Sequence, residues 1–378
     1  MKIVISLNTS WNLVNFRSGL IRALVAAGHD VVAVAPFDNH ASGLKTLGCR
    51  YVPLHMDNGG TNPVKDALLT WRYLRLFACE YPDVYLGYTV KPNVYGSLVA
   101  HMLHIPVINN IAGLGAVFIK DGWLVRVVRW LYRMALKRSA KVFFQNDDDR
   151  KLFISGGLVR AEVTELLPGS GIDLNRFTPA LTPAVQDVNS KFRFLMVARM
   201  LHDKGVGEFV EAATMLRDHW PQVEWCLLGF LEVENPSAIS QSQIDTWVQQ
   251  GVVRYLGVRD DVRDEIAAAD CVVLPSYREG TPRSLLEAAA MARPIITTDA
   301  VGCREVVEDG LNGLICEARN SSDLAAKMQA MLKLPVSQRI EMGLRGRQKM
   351  EQSFDENIVI GKYMDAINEV TSVKKYDN

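Results

Sequence analysis

Two carboxylates lie close together in one stretch of the chain, in a setting that suits a ligand with several hydroxyl groups. Glu279 and Glu287 are separated by seven residues. The apolar run Cys271–Leu274 precedes them, and an Ala- and Leu-rich segment follows. This order predicts a buried strand, a tight turn and a helix, so that the two carboxylates flank the point where the strand ends.

The start of that helix favours an anion. Thr281 is a suitable N-cap, and Pro282 is a suitable first helical residue. Free backbone N–H groups at a helix start attract phosphate or another anionic group. Carboxylates beside them accept hydrogen bonds from hydroxyl groups. A sugar nucleotide has both features, because it carries sugar hydroxyls and a diphosphate.

A second pair of charged residues follows an earlier apolar run. Phe192–Val197 predicts a strand, and Arg199 and Lys204 come soon after it. This pair, followed by the spaced glutamates Glu279 and Glu287, resembles the family 4 retaining glycosyltransferases. The resemblance extends over nearly the whole chain. Within the family the sequence is similar to bacterial enzymes that add an N-acetylhexosamine or hexose to a polyprenyl-diphosphate-linked acceptor.

The resemblance implies a role for each of these residues. Arg199 and Lys204 would hold the donor diphosphate, Glu279 the transferred sugar and Glu287 the ribose hydroxyls. Arg199, Lys204 and Glu279 are therefore the expected catalytic residues. Attack would occur on the face from which the diphosphate leaves, and the sequence offers no residue that we identify as a general base.

The resemblance also implies further donor contacts and the nature of the donor. They come from the strand end at Gly257 and Arg259 and from the helix start at Gly280, Thr281 and Pro282. The expected donor is a nucleoside-diphosphate sugar, with UDP as the expected nucleotide. No metal cofactor is expected, since cationic side chains and the helix start would stabilise the leaving diphosphate.

The length of 378 residues favours two domains over one. Apolar runs alternate with helical segments, which predicts an α/β fold with ligands at the carboxyl ends of parallel strands. The resemblance implies the GT-B architecture of two Rossmann-like parallel-sheet domains facing a central cleft. We expect an acceptor-binding domain over residues 1–180, a nucleotide-sugar-binding domain over 181–354, and a helix over 355–378 that crosses back to the first domain.

The first domain contains the candidate acceptor contacts, although it departs from the family pattern. Asn8–Asn12 stands where relatives often have a Gly-Gly pair, and Val90 stands where many have a histidine. The candidate acceptor-binding residues are Asn15, Arg17, Lys91, Asn93, Gly113 and Gly115. Lys91 is the candidate ligand for an acceptor phosphate. The alternatives are a solvated helix face for the first two residues, and a surface charge and a turn residue for Lys91 and Asn93.

A basic amphipathic helix is predicted over Trp123–Arg138. Its basic residues at helical spacing are Arg126, Arg129, Arg133 and Lys137, and its other face carries Leu124, Val127, Val128, Leu131, Met134 and Ala135. Residues 1–180 contain 20 Lys and Arg against 13 Asp and Glu, a net charge of +7. We therefore expect this helix to contact an anionic membrane surface. The alternative is that its apolar face packs on the sheet and its arginines are solvated.

Composition sets the expected compartment and partners. Six cysteines without C-x-x-C pairing indicate a reduced, cytoplasmic protein without a zinc site. The chain shows neither a signal peptide nor an apolar run long enough to span a bilayer, so we expect it to be peripheral on the inner face of the plasma membrane. No nucleic acid partner is expected. Asp147–Asp149 could bind a metal, but its place before a helix favours capping.

Other functions remain open at this point. A sugar-nucleotide epimerase can have the same fold and donor, and would form product without an acceptor. A transferase with a soluble acceptor is a further alternative. A regulatory nucleotide-binding protein would be expected to lack Arg199, Lys204 or Glu279, and an NAD-dependent dehydrogenase would need the G-x-G-x-x-G fingerprint that is absent here.

Overall fold

The chain folds into two compact units. The first contains Met1–Ser170 and Glu356–Asn378, and the second contains Gly171–Asp355. The first unit therefore ends before the boundary predicted at residue 180. The computed structural model describes residues 1–57, 62–113, 123–179, 191–231, 235 and 237–376.

A seven-stranded parallel sheet forms the centre of the first unit. Its strands are β1 (Lys2–Ser6), β2 (Asp30–Ala35), β3 (Arg50–Pro53), β4 (Val84–Tyr88), β5 (Val107–Ile111), β6 (Lys141–Phe144) and β7 (Thr164–Leu166). They lie in the order β3-β2-β1-β4-β5-β6-β7. Side chains of β1 alternate between two buried clusters, with Ile3 and Ile5 in one and Val4 in the other. This strand is thus covered on both faces, which explains its uninterrupted apolar sequence.

Helices connect these strands and cover both faces of the sheet. In chain order they are α1 (Ser10–Phe16), α2 (Ser18–Ala26), α3 (Ala41–Lys45), α4 (Pro63–Glu80), α5 (Ser97–Met102), α6 (Trp123–Leu136), α7 (Asp147–Ser155) and, at the end of the chain, α14 (Glu356–Tyr376). The helical spacing of apolar residues from Phe16 to Val25 predicts one helix over residues 14–28, and this prediction is wrong because the structure has two helices, α1 and α2. The chain leaves helical geometry at Arg17, where φ is −130° and ψ is 4°, and the Arg17 guanidinium lies 4.5 Å from the centre of the Tyr88 ring.

Helix α14 belongs to the first unit because its apolar face packs there. Val359, Tyr363 and Ile367 recur at a spacing of four residues and are buried in the same cluster as Ile3 and Ile5. The Tyr363 ring lies 4.8 Å from the ring of Phe143. Asn110 Nδ2 also donates a hydrogen bond of 2.9 Å to Tyr363 Oη, so α14 is joined to the sheet by both apolar and polar contacts.

The second unit contains a six-stranded parallel sheet. Its strands are β8 (Phe192–Val197), β9 (Val223–Leu228), β10 (Arg254–Tyr255), β11 (Cys271–Leu274), β12 (Ile295–Thr298) and β13 (Gly313–Cys316), and its helices are α8 (Val206–Leu216), α9 (Gln241–Gln249), α10 (Arg263–Ala267), α11 (Arg283–Ala290), α12 (Ser321–Lys333) and α13 (Val336–Lys349). The sheet order is β10-β9-β8-β11-β12-β13. In this order β8 and β11 are neighbours, so the loops that follow them emerge side by side.

The structure agrees with the predicted strands and also adds elements. Strands β8 and β11 have the bounds of the apolar runs that predict them. The sequence pattern also predicts helices over residues 206–216 and 241–249, which are α8 and α9, and a strand over 252–256, of which β10 is a shorter part. The pattern does not predict β7 or α13. All six cysteines are free thiols, and five are buried. Among the described residues no helix is both long and apolar enough to cross a membrane.

We expect Tyr363→Ala to lower the free energy of unfolding of the first unit by about 3–5 kcal/mol, because it removes a large buried ring. Tyr363→Phe keeps the ring and loses only the bond from Asn110, so it should cost about 1 kcal/mol. Hydrogen exchange of peptides from β5 and β6 measures the effect, with peptides from β8 and β11 as the internal control. Unchanged exchange in β5 and β6 of Tyr363→Ala would contradict the proposed attachment of α14.

Candidate active site

An ion pair joins the two loops that follow β8 and β11. Lys204 Nζ lies 2.5 Å from Glu279 Oε1, and both side chains are largely shielded, with 13% and 15% of their surface exposed. The sequence placed these residues in one donor site on separate motifs. The structure brings their charged atoms into direct contact.

The loop that carries Lys204 is fixed against the end of β11. A short turn over His202–Lys204 ends at Gly205, whose φ of 76° lies in the left-handed region. A Cβ atom at Gly205 would lie 2.1 Å from the carbonyl oxygen of Pro275, so only glycine fits there. The backbone N–H of Tyr277 donates to the Asp203 carbonyl at 3.0 Å. Lys204 is thus held by a backbone connection between the two loops.

Ser276 contacts both loops of the candidate site, and the sequence analysis missed it. Its side chain is fully buried, and its Oγ lies 2.9 Å from Glu279 Oε1 and 3.1 Å from the Asp203 carbonyl oxygen. A hydroxyl has one proton, so it donates to one of these acceptors at a time. Either bond ties the carboxylate or the Lys204 loop to the end of β11. Its place two residues after the apolar run Cys271–Leu274 was the available signal.

Glu279 is oriented with one oxygen engaged and the other available. Lys204 and Ser276 both contact Oε1, and within the described residues no hydrogen bond to Oε2 is present. The backbone N–H of Glu279 donates to the Val301 carbonyl at 2.9 Å. Gly302 allows this approach, because a Cβ there would lie 2.5 Å from the Glu279 carbonyl oxygen.

Helix α11 begins one residue later than predicted. Pro282 is the N-cap, with φ of −72° and ψ of 114°, and its backbone is therefore extended rather than helical. Thr281 lies one position further out, so its predicted role as N-cap is wrong. Gly280, Thr281 and Pro282 still form the turn that leads from Glu279 into the helix.

Glu287 lies inside α11 and pairs with a residue of the same helix. Arg283 Nε donates to Glu287 Oε1 at 3.1 Å, and a second nitrogen of Arg283 donates to the Gly171 carbonyl at 3.1 Å. Burial raises the pKa of the Glu287 carboxyl, and the Arg283 guanidinium opposes this effect. Because Arg283 contacts Oε1, Glu287 is held in a defined orientation.

Arg199 differs from Lys204 in being exposed. It follows β8 by two residues, and in the described part of the chain its guanidinium has no hydrogen bond or ion pair. Gly257 has a φ of 75°, and its carbonyl accepts from the Gly229 N–H at 2.9 Å. Arg259 is exposed and lies 3.6 Å from Glu265. These predicted donor contacts share the second unit with Lys204 and Glu279.

The predicted acceptor residues lie in the first unit, and Lys91 there is paired. Lys91 Nζ donates to Asp66 Oδ1 at 2.8 Å, and both side chains are 13% exposed. Tyr95 Oη donates to the other oxygen of Asp66 at 2.8 Å. Because Asp66 neutralises the Lys91 ammonium group, a phosphate bound there would share that ammonium group with the Asp66 carboxylate.

The other predicted acceptor residues lie near the ends of β4 and β5. Asn93 is 1% exposed; its side chain donates to the Asn110 carbonyl and accepts from Asn109. These contacts favour a supporting role for Asn93. Arg17 is buried under the Tyr88 ring, and its Nε has no partner in the described residues.

Asn15 and the two glycines complete the predicted acceptor set. Asn15 Nδ2 donates to the Trp11 carbonyl at 3.0 Å. Gly113, two residues after β5, has a φ of 142°, and Gly115 lies outside the described residues.

Asp147–Asp149 form the first turn of α7, and Asn146 is its N-cap. Lys151 lies 2.7 Å from Asp147, and this hydrogen bond is the main cause that lowers the pKa of the Asp147 carboxyl. Among the described residues no three His, Cys, Asp or Glu side chains are grouped to hold a metal ion. The aspartates thus lie where negative charge stabilises a helix start.

The two halves of the chain match two family models. Residues 15–169 match the model described as glycosyl transferase 4-like domain, and residues 191–334 match the model described as glycosyl transferases group 1. Together these matches extend over most of both units. The second match contains Arg199, Lys204, Glu279 and Glu287.

Two bacterial enzymes are similar along the sequence. A Campylobacter jejuni N,N'-diacetylbacillosaminyl-diphospho-undecaprenol alpha-1,3-N-acetylgalactosaminyltransferase is 29% identical over 93% of this chain and 94% of its own length. An Escherichia coli UDP-Gal:alpha-D-GlcNAc-diphosphoundecaprenol alpha-1,3-galactosyltransferase is 25% identical over 67% of each chain.

Solved structures of glycosyltransferases share the fold. HepE from Anabaena, in complex with UDP and glucose, has a TM-score of 0.79 with 20% identity, covering 98% of this chain and 100% of HepE. WaaG, a glycosyltransferase involved in lipopolysaccharide biosynthesis, has a TM-score of 0.74 with 17% identity, covering 97% of this chain and 99% of WaaG. The chain has two parallel-sheet Rossmann-like units of the GT-B fold, and it is a glycosyltransferase that belongs to the family described by the group 1 and 4-like models.

Proposed function

We propose that this enzyme transfers an N-acetylhexosamine or hexose from a UDP-sugar to a glycan on a lipid diphosphate, with retention at the anomeric carbon. The orientation of the Lys204–Glu279 pair carries the proposal. The names of the Campylobacter jejuni and Escherichia coli relatives, which specify diphospho-undecaprenol acceptors, support the acceptor class.

Lys204 and Glu279 can each serve the donor while remaining paired. An ammonium group has three N–H donors, so the contact with Glu279 leaves two for diphosphate oxygens. Glu279 Oε2 is available for a hydroxyl of the transferred sugar. The pair would therefore contact both the leaving diphosphate, through Lys204, and the transferred sugar, through Glu279.

The reaction places negative charge on the leaving group. The bond between the anomeric carbon and the diphosphate oxygen breaks, and its electron pair leaves with UDP. A bond between the anomeric carbon and the acceptor hydroxyl oxygen forms, and the hydroxyl proton passes to an oxygen of the departing diphosphate. Arg199 binds two phosphate oxygens at once, while Lys204 acts as a point charge. Backbone N–H groups at the start of α11 add to this stabilisation. We propose that Glu287 accepts from the ribose hydroxyls, and that Gly257 and Arg259 lie against the base.

The first unit would bind the acceptor at a membrane surface. The alternative that the apolar face of α6 packs on the sheet applies to only part of that face, since Val127 and Met134 are exposed together with Arg126 and Arg133. Tyr132, Ala135 and Leu136 form the buried stripe instead. Basic and apolar side chains on one exposed face fit a peripheral contact with an anionic leaflet on the cytoplasmic side.

The function is tested by incubating the protein with single UDP-sugars in the presence and absence of an undecaprenyl-diphosphate-linked monosaccharide. We expect UDP release and an acceptor one sugar longer by mass spectrometry. Conversion of the UDP-sugar to another UDP-sugar without acceptor would show an epimerase and overturn the proposal. Equal rates with a free, lipid-free sugar acceptor would overturn the acceptor class.

Arg199→Ala and Lys204→Ala should each lower kcat by about 100-fold or more, because each removes a cation from the developing diphosphate charge. Steady-state kinetics with the best UDP-sugar measures the loss. Arg254→Ala, which removes an exposed arginine from β10, is the control and should keep its activity. Full turnover in a folded Lys204→Ala variant would exclude the assigned role of Lys204.

Ser276→Ala should lower kcat by about 10-fold, as expected for a lost hydrogen bond to a charged group, with little change in KM for the UDP-sugar. The test is a double-mutant cycle with Lys204→Ala. Because both residues contact Glu279 Oε1, their effects should not add. Additive losses of kcat would mean that Ser276 supports only the fold. Recovery of kcat in Ser276→Thr would support a role for the side-chain hydroxyl.

Transfer should continue in excess chelator, because side chains and backbone N–H groups provide the positive charge at the diphosphate. The rate is compared with and without EDTA after dialysis. A loss that manganese or magnesium restores would show that the reaction needs a metal ion.

A further inference from the structure

A cleft lined by three arginines lies between α6 and the end of α7 in the first unit. Its volume is about 350 Å³, and its lining residues are Arg126, Arg129, Trp130, Arg133, Gly156 and Leu158. Three guanidinium groups in one cleft repel one another unless an anion lies among them. We call this feature the arginine cleft.

Within the described residues, no acidic side chain pairs with the arginines of the arginine cleft. Arg133 donates to the carbonyls of Gly157 and Gly156 at 2.9 and 3.0 Å, which fixes its orientation but leaves its charge. In the described residues, Arg126 and Arg129 have neither an ion pair nor a hydrogen bond. By contrast, Arg150 on α7 pairs with Asp147. Unpaired guanidinium groups of this kind match the oxygens of a phosphate group.

Apolar side chains on the same exposed face indicate where that phosphate is attached. Trp123 and Trp130 are 70% and 60% exposed, and Val127 and Met134 lie exposed between and beyond them. Their spacing along α6 places them in one stripe. Trp130 also lines the arginine cleft itself. A free phosphate would leave this stripe without a partner, whereas a lipid offers it the interfacial layer that tryptophan prefers.

The arginine cleft lies away from the edge of the sheet where transfer occurs. Helix α7 follows β6 and so begins at the carboxyl edge of the sheet, where ligands of α/β folds bind. Its nine residues extend about 13 Å, so Gly156 lies toward the opposite edge. The phosphate in this cleft is therefore not that of the acceptor whose sugar reacts.

We propose that the arginine cleft binds the phosphate of an anionic phospholipid headgroup, one lipid per chain, and so fixes the enzyme on the membrane. Arg126 and Arg129 bind the phosphate, and Arg133 forms a fixed wall. This inference rests on the proposed function for its membrane setting and adds a discrete lipid site to it. A diffuse attraction between charges would need no such site.

The test uses soluble short-chain dihexanoylphosphatidylglycerol, below its micelle concentration, in binding titrations with the full chain. Arg126→Gln/Arg129→Gln removes two charges inside the cleft, and Lys137→Gln/Arg138→Gln removes two charges outside it, directly after the end of α6. We expect one lipid per chain, binding weakened at least tenfold in the cleft variant, and binding within twofold of the wild type in the control. Helicity and thermal melts show whether both variants are folded.

Each other outcome overturns the proposal. Equal weakening in both double variants would show diffuse attraction, and equal binding of inorganic phosphate would show a simple anion site. Displacement of the lipid by an undecaprenyl-diphosphate acceptor at one equivalent would show an acceptor site. Failure of the lipid site and failure of the proposed function are distinguished by measuring transfer to a short-chain acceptor in detergent without added phospholipid. The cleft variant should retain this transfer activity. Absence of transfer in the wild type would overturn the proposed function, and the lipid site would then be judged from the lipid titration alone.

Discussion

The contact between Lys204 and Glu279 depends on the neighbouring positions of β8 and β11 in one parallel sheet. Adjacent parallel strands end at the same edge, so the loops that follow them meet although they are far apart in sequence. Gly205 allows the first loop to approach the Pro275 carbonyl, and Ser276 contacts both loops. The geometry of the pair is therefore a property of the sheet, since neither loop could set it alone.

A largely shielded ion pair contributes little net stability to the contact between two loops. Removing both charges from water costs much of what their attraction returns, and an apolar pair of similar size would often be more stable. The proposed function gives a reason for this arrangement. Among the described residues, the pair leaves two N–H groups of Lys204 and Oε2 of Glu279 available, and such groups can bind a charged, hydroxylated donor.

Local pattern predicted most of the second unit, because its strands are short apolar runs bounded by turn residues. The bounds of β8 and β11 and the order of the charged residues after them could be read directly. The contact of Ser276 with Glu279 could not, because hydrogen bonds within a loop depend on its backbone path. The break at Arg17 was missed for a related reason, since packing on Tyr88 overrides the helical pattern of the sequence.

For helix α6, sequence periodicity predicted the helix but not which apolar residues are buried. Its 3.6-residue pattern predicted an amphipathic helix, but several apolar residues were available for the face against the sheet. Packing selected Tyr132, Ala135 and Leu136, and it left Trp130 and Met134 exposed beside arginines. In water that mixture is unfavourable for the rings and neutral for the guanidinium groups. At a bilayer surface both find partners within a few ångströms of depth, because phosphates lie directly above the layer that accepts aromatic rings.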